Sequence, residues 1–202
     1  MDGACAHVSA FILDGGKSTR MGADKAFLTL DGRTLLERAL EVAQSVTADV
    51  RIVGADSKFA AFAPVVEDIF SGCGPLGGIH AALRASSSPL NLMLAVDLPF
   101  TSPALLQFFV ARAQASDASV TVPRVDGGLQ PLCAVYRPQF ADLAEMALRA
   151  GRYKIDACFD PQQTQVVEES ELRSGGFSSE MFRNLNTPEE LEEAKKGTKL
   201  VR

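Results

Sequence analysis

Hydrophobic positions along the chain switch between two periods. Residues 7–13, HVSAFIL, are apolar and branched enough to predict a buried strand. Beyond a glycine- and lysine-rich stretch comes TLLERALEVAQSV, with Leu36, Ala39, Leu40 and Ala43 at i, i+3, i+4 and i+7, the period of one helix face. DVRIVG (49–54) and APVVED (63–68) read as a second and a third strand, and GPLGGIHAALRAS reads as a helix opening on a glycine-rich turn. LNLMLAV (90–96) is apolar almost throughout, as strands covered on both faces are. Ser102-Pro103 predicts an N-cap and first helical residue for ALLQFFVARAQAS. SVTVP and LCAVY, with DGG between them, read as later strands. PQFADLAEMALRAG reads as a helix stopped by Gly151, and Thr187-Pro188 caps a last helix over 188–196. No repeat and no long linker interrupts the alternation. It predicts one doubly wound α/β domain over residues 1–202, with a mostly parallel sheet between two helical layers.

Composition narrows the partners. Of 202 residues, 47% are apolar, enough for one sizeable core. The formal charge of −5 argues against wrapping a nucleic-acid backbone, which needs a basic face. A small phosphorylated ligand stays compatible, because a few local cations and backbone N–H groups can hold it. Cys5, Cys73, Cys133 and Cys158 are far apart, and the two histidines, His7 and His80, form no ligand pattern with them. Reduced, packing cysteines in a cytosolic protein are the expectation, with no zinc site and no disulfide framework. No apolar run reaches the ~18 residues of a membrane span, and no signal sequence opens the chain, so a cytoplasmic protein without a membrane partner is expected.

Ligands of an open parallel sheet bind beyond the carboxyl ends of its strands. Three predicted strand ends carry unusual residues: LDGGKSTRMGADK after the first, EDIFSGCGPLGG after PVV, and VDLPF after LNLMLA. Each alone could be a turn or a cap; together, on one edge, they mark a candidate site. The first is no Walker A loop, since Phe11 stands where that motif needs glycine. The dinucleotide fingerprint G-x-G-x-x-G fails as well, because Gly15 and Gly16 are adjacent and Lys17 follows. What remains are two glycines that let backbone N–H groups approach an anionic or planar ligand. Arg20 can fork onto two phosphate oxygens, and Lys25 supplies a point charge.

LDGGKSTRMGADK resembles the L-x-G-G-x-S-x-R-M-G-x-D-K signature of nucleotidyltransferases that act on the molybdenum cofactor. The resemblance to the guanylyltransferase branch extends over nearly the whole chain. VVED and GPLGG stand at the expected middle positions, VDLPF resembles the C-D-x-P metal segment, and NLNTPEEL resembles the N-x-N-T-P-E-[DE]-L ending. The resemblance implies a Rossmann-like α/β fold. It implies that Leu13, Asp14, Gly15 and Gly16 contact a guanine nucleotide, that Arg20 and Lys25 contact its phosphates, and that Asp68 helps select the base. Asp97 would coordinate magnesium, and Asn184 and Asn186 would lie on the molybdopterin side. The chain departs from the signature at Asp14, where alanine is usual: its carboxylate either accepts from the guanine edge or points to solvent. Val96 replaces a frequent cysteine, and Gly54 stands where some relatives place asparagine, leaving a backbone contact to the nucleotide.

The implied reaction joins GTP to the phosphate of molybdopterin with loss of pyrophosphate. The attacking phosphate is ionised at neutral pH, so no strong general base and no histidine constellation are required. Alignment and neutralisation of leaving-group charge are required, and Arg20, Lys25 and magnesium on Asp97 suit both. Proteins that deliver or receive the cofactor are implied as partners. Plainer roles stand beside these: Lys25 as a solvated lysine, Arg20 as a salt-bridge partner, Asp97 as a cap of the FTSP turn, Asn184 and Asn186 as turn shapers. GRYKIDACF (151–159) is either a pterin-phosphate surface or a basic helix start. A CTP-dependent enzyme on the same pterin, a sugar-phosphate nucleotidyltransferase and a non-catalytic nucleotide binder are the alternative functions.

Overall fold

A computed structural model describes residues 7–14, 24–185 and 187–199. Strand β1 (Val8–Leu13) is buried at all six positions, as its unbroken apolar run requires. A small antiparallel hairpin, β2 (Thr29–Leu30) and β3 (Arg33–Thr34), leads into α1 (Leu35–Gln44). A capping box starts α1: the Glu37 N–H donates to the Thr34 hydroxyl at 3.1 Å, and the Glu37 carboxylate accepts the Thr34 N–H at 2.8 Å. There follow β4 (Val50–Val53), α2 (Asp56–Phe59), β5 (Val65–Val66), α3 (Pro75–Ala85) and β6 (Leu90–Ala95). Helix α4 (Pro103–Gln114) begins as expected, with the Ser102 hydroxyl accepting the Leu105 N–H at 3.3 Å. Then come β7 (Val120–Val125), β8 (Gly128–Leu129), β9 (Cys133–Tyr136), α5 (Phe140–Arg149), β10 (Thr164–Val167), α6 (Glu169–Ser174) and α7 (Pro188–Lys199).

The main sheet runs β10-β7-β9-β6-β1-β4-β5, with β8 beside β7. Pairings β1–β4, β1–β6, β4–β5 and β7–β10 are parallel; β9 runs antiparallel between β6 and β7. Alternation along β1 divides the core. Val8, Ala10 and Ile12 pack with Leu36 and Leu40 of α1 and with Leu105 and Phe109 of α4. Phe11 and Leu13 face the other way, onto Leu76 and Ile79 of α3 and Phe140 and Ala144 of α5. The doubly wound, three-layer α/β/α expectation is met.

Several boundaries differ from the sequence pattern. Only Val65 and Val66 of APVVED pair, because β5 is the sheet's edge. The DGG turn closes a tight β7–β8 hairpin, with Asp126 and Gly127 at φ 50° and 77°, the backbone such two-residue turns require. Strand β10 and helix α6 had no periodic signal: TQVV holds two apolar residues and, among the described residues, pairs only with β7. Residues 151–159 do not begin a helix. Gly151 ends α5 at φ 70°, Arg152 and Lys154 are exposed, and only a 3-10 turn, Asp156–Cys158, follows. The last helix extends to Lys199 rather than 196. Cys73, Cys133 and Cys158 are unpaired thiols, and burial pushes that of Cys133 up to about 12. Among the described residues, no helix is long and apolar enough to cross a membrane.

Candidate active site

From β1 the chain progresses outward through β4 to β5, then crosses back to β6 on the other side of β1. That reversal is the topological switch point, where an open α/β sheet leaves a crevice beyond its carboxyl ends. Backbone hydrogen bonds join the strand exits there. The Val96 N–H donates to the Leu13 carbonyl (3.1 Å), the Asp14 N–H to that of Val53 (3.2 Å) and the Gly54 N–H to that of Val66 (3.0 Å). Leu13, Asp14, Gly54 and Asp97 therefore share one edge. The Gly54 N–H is consumed by the sheet, which removes it as a donor to a ligand. Its lack of a side chain has a packing reason: a Cβ would lie 2.7 Å from the Phe59 ring.

Lys25 reaches this edge from a 3-10 turn, Lys25–Phe27, capped by Asp24, whose carboxylate accepts the Ala26 N–H at 3.2 Å. The Lys25 ammonium lies 3.1 Å from Asp97 Oδ2, and both side chains are only 16% exposed. Lys25 is thus no solvated surface lysine. Nor does Asp97 cap the turn before α4, since Ser102 does so. The Asp97 carbonyl accepts the Leu185 N–H at 3.0 Å, which draws exposed Asn184 beside the carboxylate's strand end. The Thr101 hydroxyl, donating to the Met181 carbonyl at 3.2 Å, ties down the same returning segment. Next to it, between the β7–β8 hairpin and the turn Ser179–Phe182, lies a cavity of about 210 Å³ lined by Gln130, Phe182 and Arg183 among others.

Asp14 does not point to solvent. Its side chain is 15% exposed and accepts from the Lys58 ammonium at 2.6 Å. Burial pushes its carboxyl above the usual range, Lys58 pulls it down, and the nearby charges of Asp24 and Asp97 push it up again. Lys58 ion-pairs with Asp24 too, so one ammonium joins the residues on either side of positions 15–23. The sequence reading missed Lys58 and Asp24; the available signal was a lysine in the turn just past a strand exit. Asp68 stands at the exit of β5, its carboxyl raised by burial, and no cation pairs with it among the described residues. A Cβ on Gly78 would lie 3.3 Å from Val53, a tight contact, so α3 packs closely on the strand end at this glycine. Gly15, Gly16, Arg20 and Asn186 lie outside the described residues.

Among the described residues, no three His, Cys, Asp or Glu side chains gather as a metal cage. The carboxylate of Asp97 offers hard oxygen donors at the strand-end edge. It fits a cation such as magnesium, which takes one or two carboxylates and completes its shell with phosphate oxygens and water.

Fold and site together define an α/β nucleotidyltransferase. The profile of the MobA-like NTP transferase domain family matches residues 10–166. The molybdenum cofactor guanylyltransferase of Desulfosudis oleivorans is 34% identical over 198 residues, spanning 96% of this chain and 98% of its own length. A probable molybdenum cofactor guanylyltransferase of Pelotomaculum thermopropionicum is 36% identical, over 91% of this chain and 90% of its own. Among solved structures, molybdopterin-guanine dinucleotide biosynthesis protein A from Archaeoglobus fulgidus superposes with a TM-score of 0.83 at 28% identity, covering 95% of this chain and 99% of that one. The chain belongs to the MobA-like NTP transferase family, with a nucleotidyltransferase role in molybdenum cofactor biosynthesis.

Proposed function

We propose that this enzyme transfers GMP from GTP to the phosphate of molybdopterin, giving molybdopterin guanine dinucleotide and pyrophosphate. The observation that carries the reading is the largely buried Lys25–Asp97 pair at the switch point between β1 and β6, in a chain whose relatives are named guanylyltransferases. An ionised oxygen of the pterin phosphate attacks the α-phosphorus of GTP, and the bond from that phosphorus to the oxygen of the leaving pyrophosphate breaks. Lys25, with Arg20, meets the phosphate charge. Asp97 is the residue that would hold magnesium, which when bound supplies counter-charge for the leaving pyrophosphate. Asp68, an exposed carboxylate at the exit of β5, suits the N–H edge of guanine. Asn184, Asn186 and the adjoining cavity with Arg183 suit the pterin side.

The test is nucleotide selectivity. GTP with magnesium should bind at least about tenfold more tightly than CTP, ~1.4 kcal/mol, and raise the melting temperature accordingly. Equal thermal shifts for the two triphosphates would remove the guanine assignment and favour the cytidylyltransferase alternative.

A further inference from the structure

The geometry points to Lys58 as a positioning residue of this site: it neutralises Asp14 beside the phosphate-binding edge and fixes the turn that carries Lys25. The inference rests on the functional reading above. Asp14 stands at the switch point, next to Asp97, on the edge where a triphosphate must settle. A bare carboxylate there repels the ligand. The Lys58 ammonium lies 2.6 Å from Asp14 and pairs with Asp24 as well. Asp24 in turn caps the turn Lys25–Phe27. Apolar packing reinforces the ionic contact, because Phe59 stacks on Phe27 of that turn with ring centres 6.1 Å apart. The Lys58 ammonium sits 4.3 Å from the centre of the Phe59 ring, and the side-chain-free Gly54 lets that ring descend. Helix α2 thus meets the Lys25 turn through the Lys58–Asp24 ion pair, the Phe59–Phe27 stack and the Lys58 ammonium 5.8 Å from the centre of the Phe27 ring. Lys58 touches none of the reacting atoms; it acts through Asp14 and Asp24.

A double-mutant comparison isolates this role. Lys58→Met keeps the aliphatic stem over Phe59 and removes the charge. With the full chain, magnesium and GTP, it should raise the KM for the nucleotide about tenfold or more and lower kcat by a smaller factor. Its melting temperature without ligand should fall, because Asp14 loses its cation, and should recover in the double variant with Asp14→Ala. Adding Asp14→Ala to Lys58→Met should recover most of the KM loss, and Lys58→Arg should stay within about threefold of wild type. If Lys58→Met alone does not fold, the pair with Asp14→Ala must fold and bind, because no lone carboxylate is then left. A wild-type KM in Lys58→Met, or a double variant as impaired or as unfolded as the single one, would overturn the role. Absence of GTP binding by wild type would remove the functional reading and this inference with it, whereas normal wild-type binding with an unaffected Lys58→Met removes the inference alone.

Discussion

Between α3 and α5, Glu145 accepts from Arg149 at 2.7 Å and from Arg84 at 2.8 Å, and these donors hold its carboxyl down at about 2. At the strand-end edge, Asp14 also has a cation, yet burial and two neighbouring carboxylates leave its carboxyl above the usual range. In the first cluster the arginines reach solvent and the acid has more cationic than anionic partners around it. The second is half-buried and gathers Asp14, Asp24 and Asp97 around Lys58 and Lys25. A carboxylate held below its ordinary value adds to stability when ionised; one held above it subtracts. Folding therefore maintains at the site a concentration of like charge that it avoids between the helices. Of these three acids Asp14 is the one whose carboxyl burial raises, and a perturbed acid in a crevice marks a candidate functional site.

The sharpest separation of the two clusters is expected from a substitution at Asp97. Asp97→Asn keeps the shape and one oxygen but loses the charge that would hold magnesium. Turnover, read as pyrophosphate release, should fall roughly a hundredfold or more, a few kcal/mol in the barrier, with melting by circular dichroism unchanged. Wild-type turnover at limiting magnesium would remove Asp97 from the active site.

Lys25→Ala is the next largest change. It should weaken GTP binding about tenfold, ~1.4 kcal/mol, whereas Asp14→Ala should cost less, since it deletes an anion rather than a phosphate contact. Calorimetric dissociation constants decide the order. A greater loss at Asp14 would mean that its carboxylate reads the base.

The smallest effects test the opposed pH signs directly. Glu145 has a folded value near 2 against an ordinary 4.5, so its contribution is complete above about 4.5 and is lost as pH falls toward 2. Glu145→Gln should lower the melting temperature by roughly 2–4 °C at most above pH 5 and flatten the acid limb below it. Asp14 runs the other way. Its folded value lies above the ordinary 3.8, so its contribution declines as pH rises through that region, and Asp14→Asn should gain on wild type as pH increases. Melting curves between pH 2 and 7 would show the two variants diverging from wild type in opposite directions. Parallel curves would mean that the two clusters are electrostatically alike.

The amino-acid sequence by itself determined the elements and their order wherever a local signal exists. The run through Leu13, the helix face of Leu36, Ala39, Leu40 and Ala43, and the Ser102 and Thr187 caps are set by residues within a few positions of one another, and each is found in the structure. The same locality placed Asp14, Asp68 and Asp97 after strands, hence on one edge. Tertiary structure alone decided which charges meet there. Lys25 and Asp97 are 72 positions apart and Lys58 and Asp14 are 44 apart, and nothing in the spacing of either pair encodes their contact. They meet because the parallel pairing of β1 with both β4 and β6 brings those strand ends together, and because the Phe59 ring can descend over Gly54. The antiparallel insertion of β9 and the edge strand β10 were settled in the same way: strands pair through backbone groups along their edges, whereas hydrophobic period reports only which face of an element is buried.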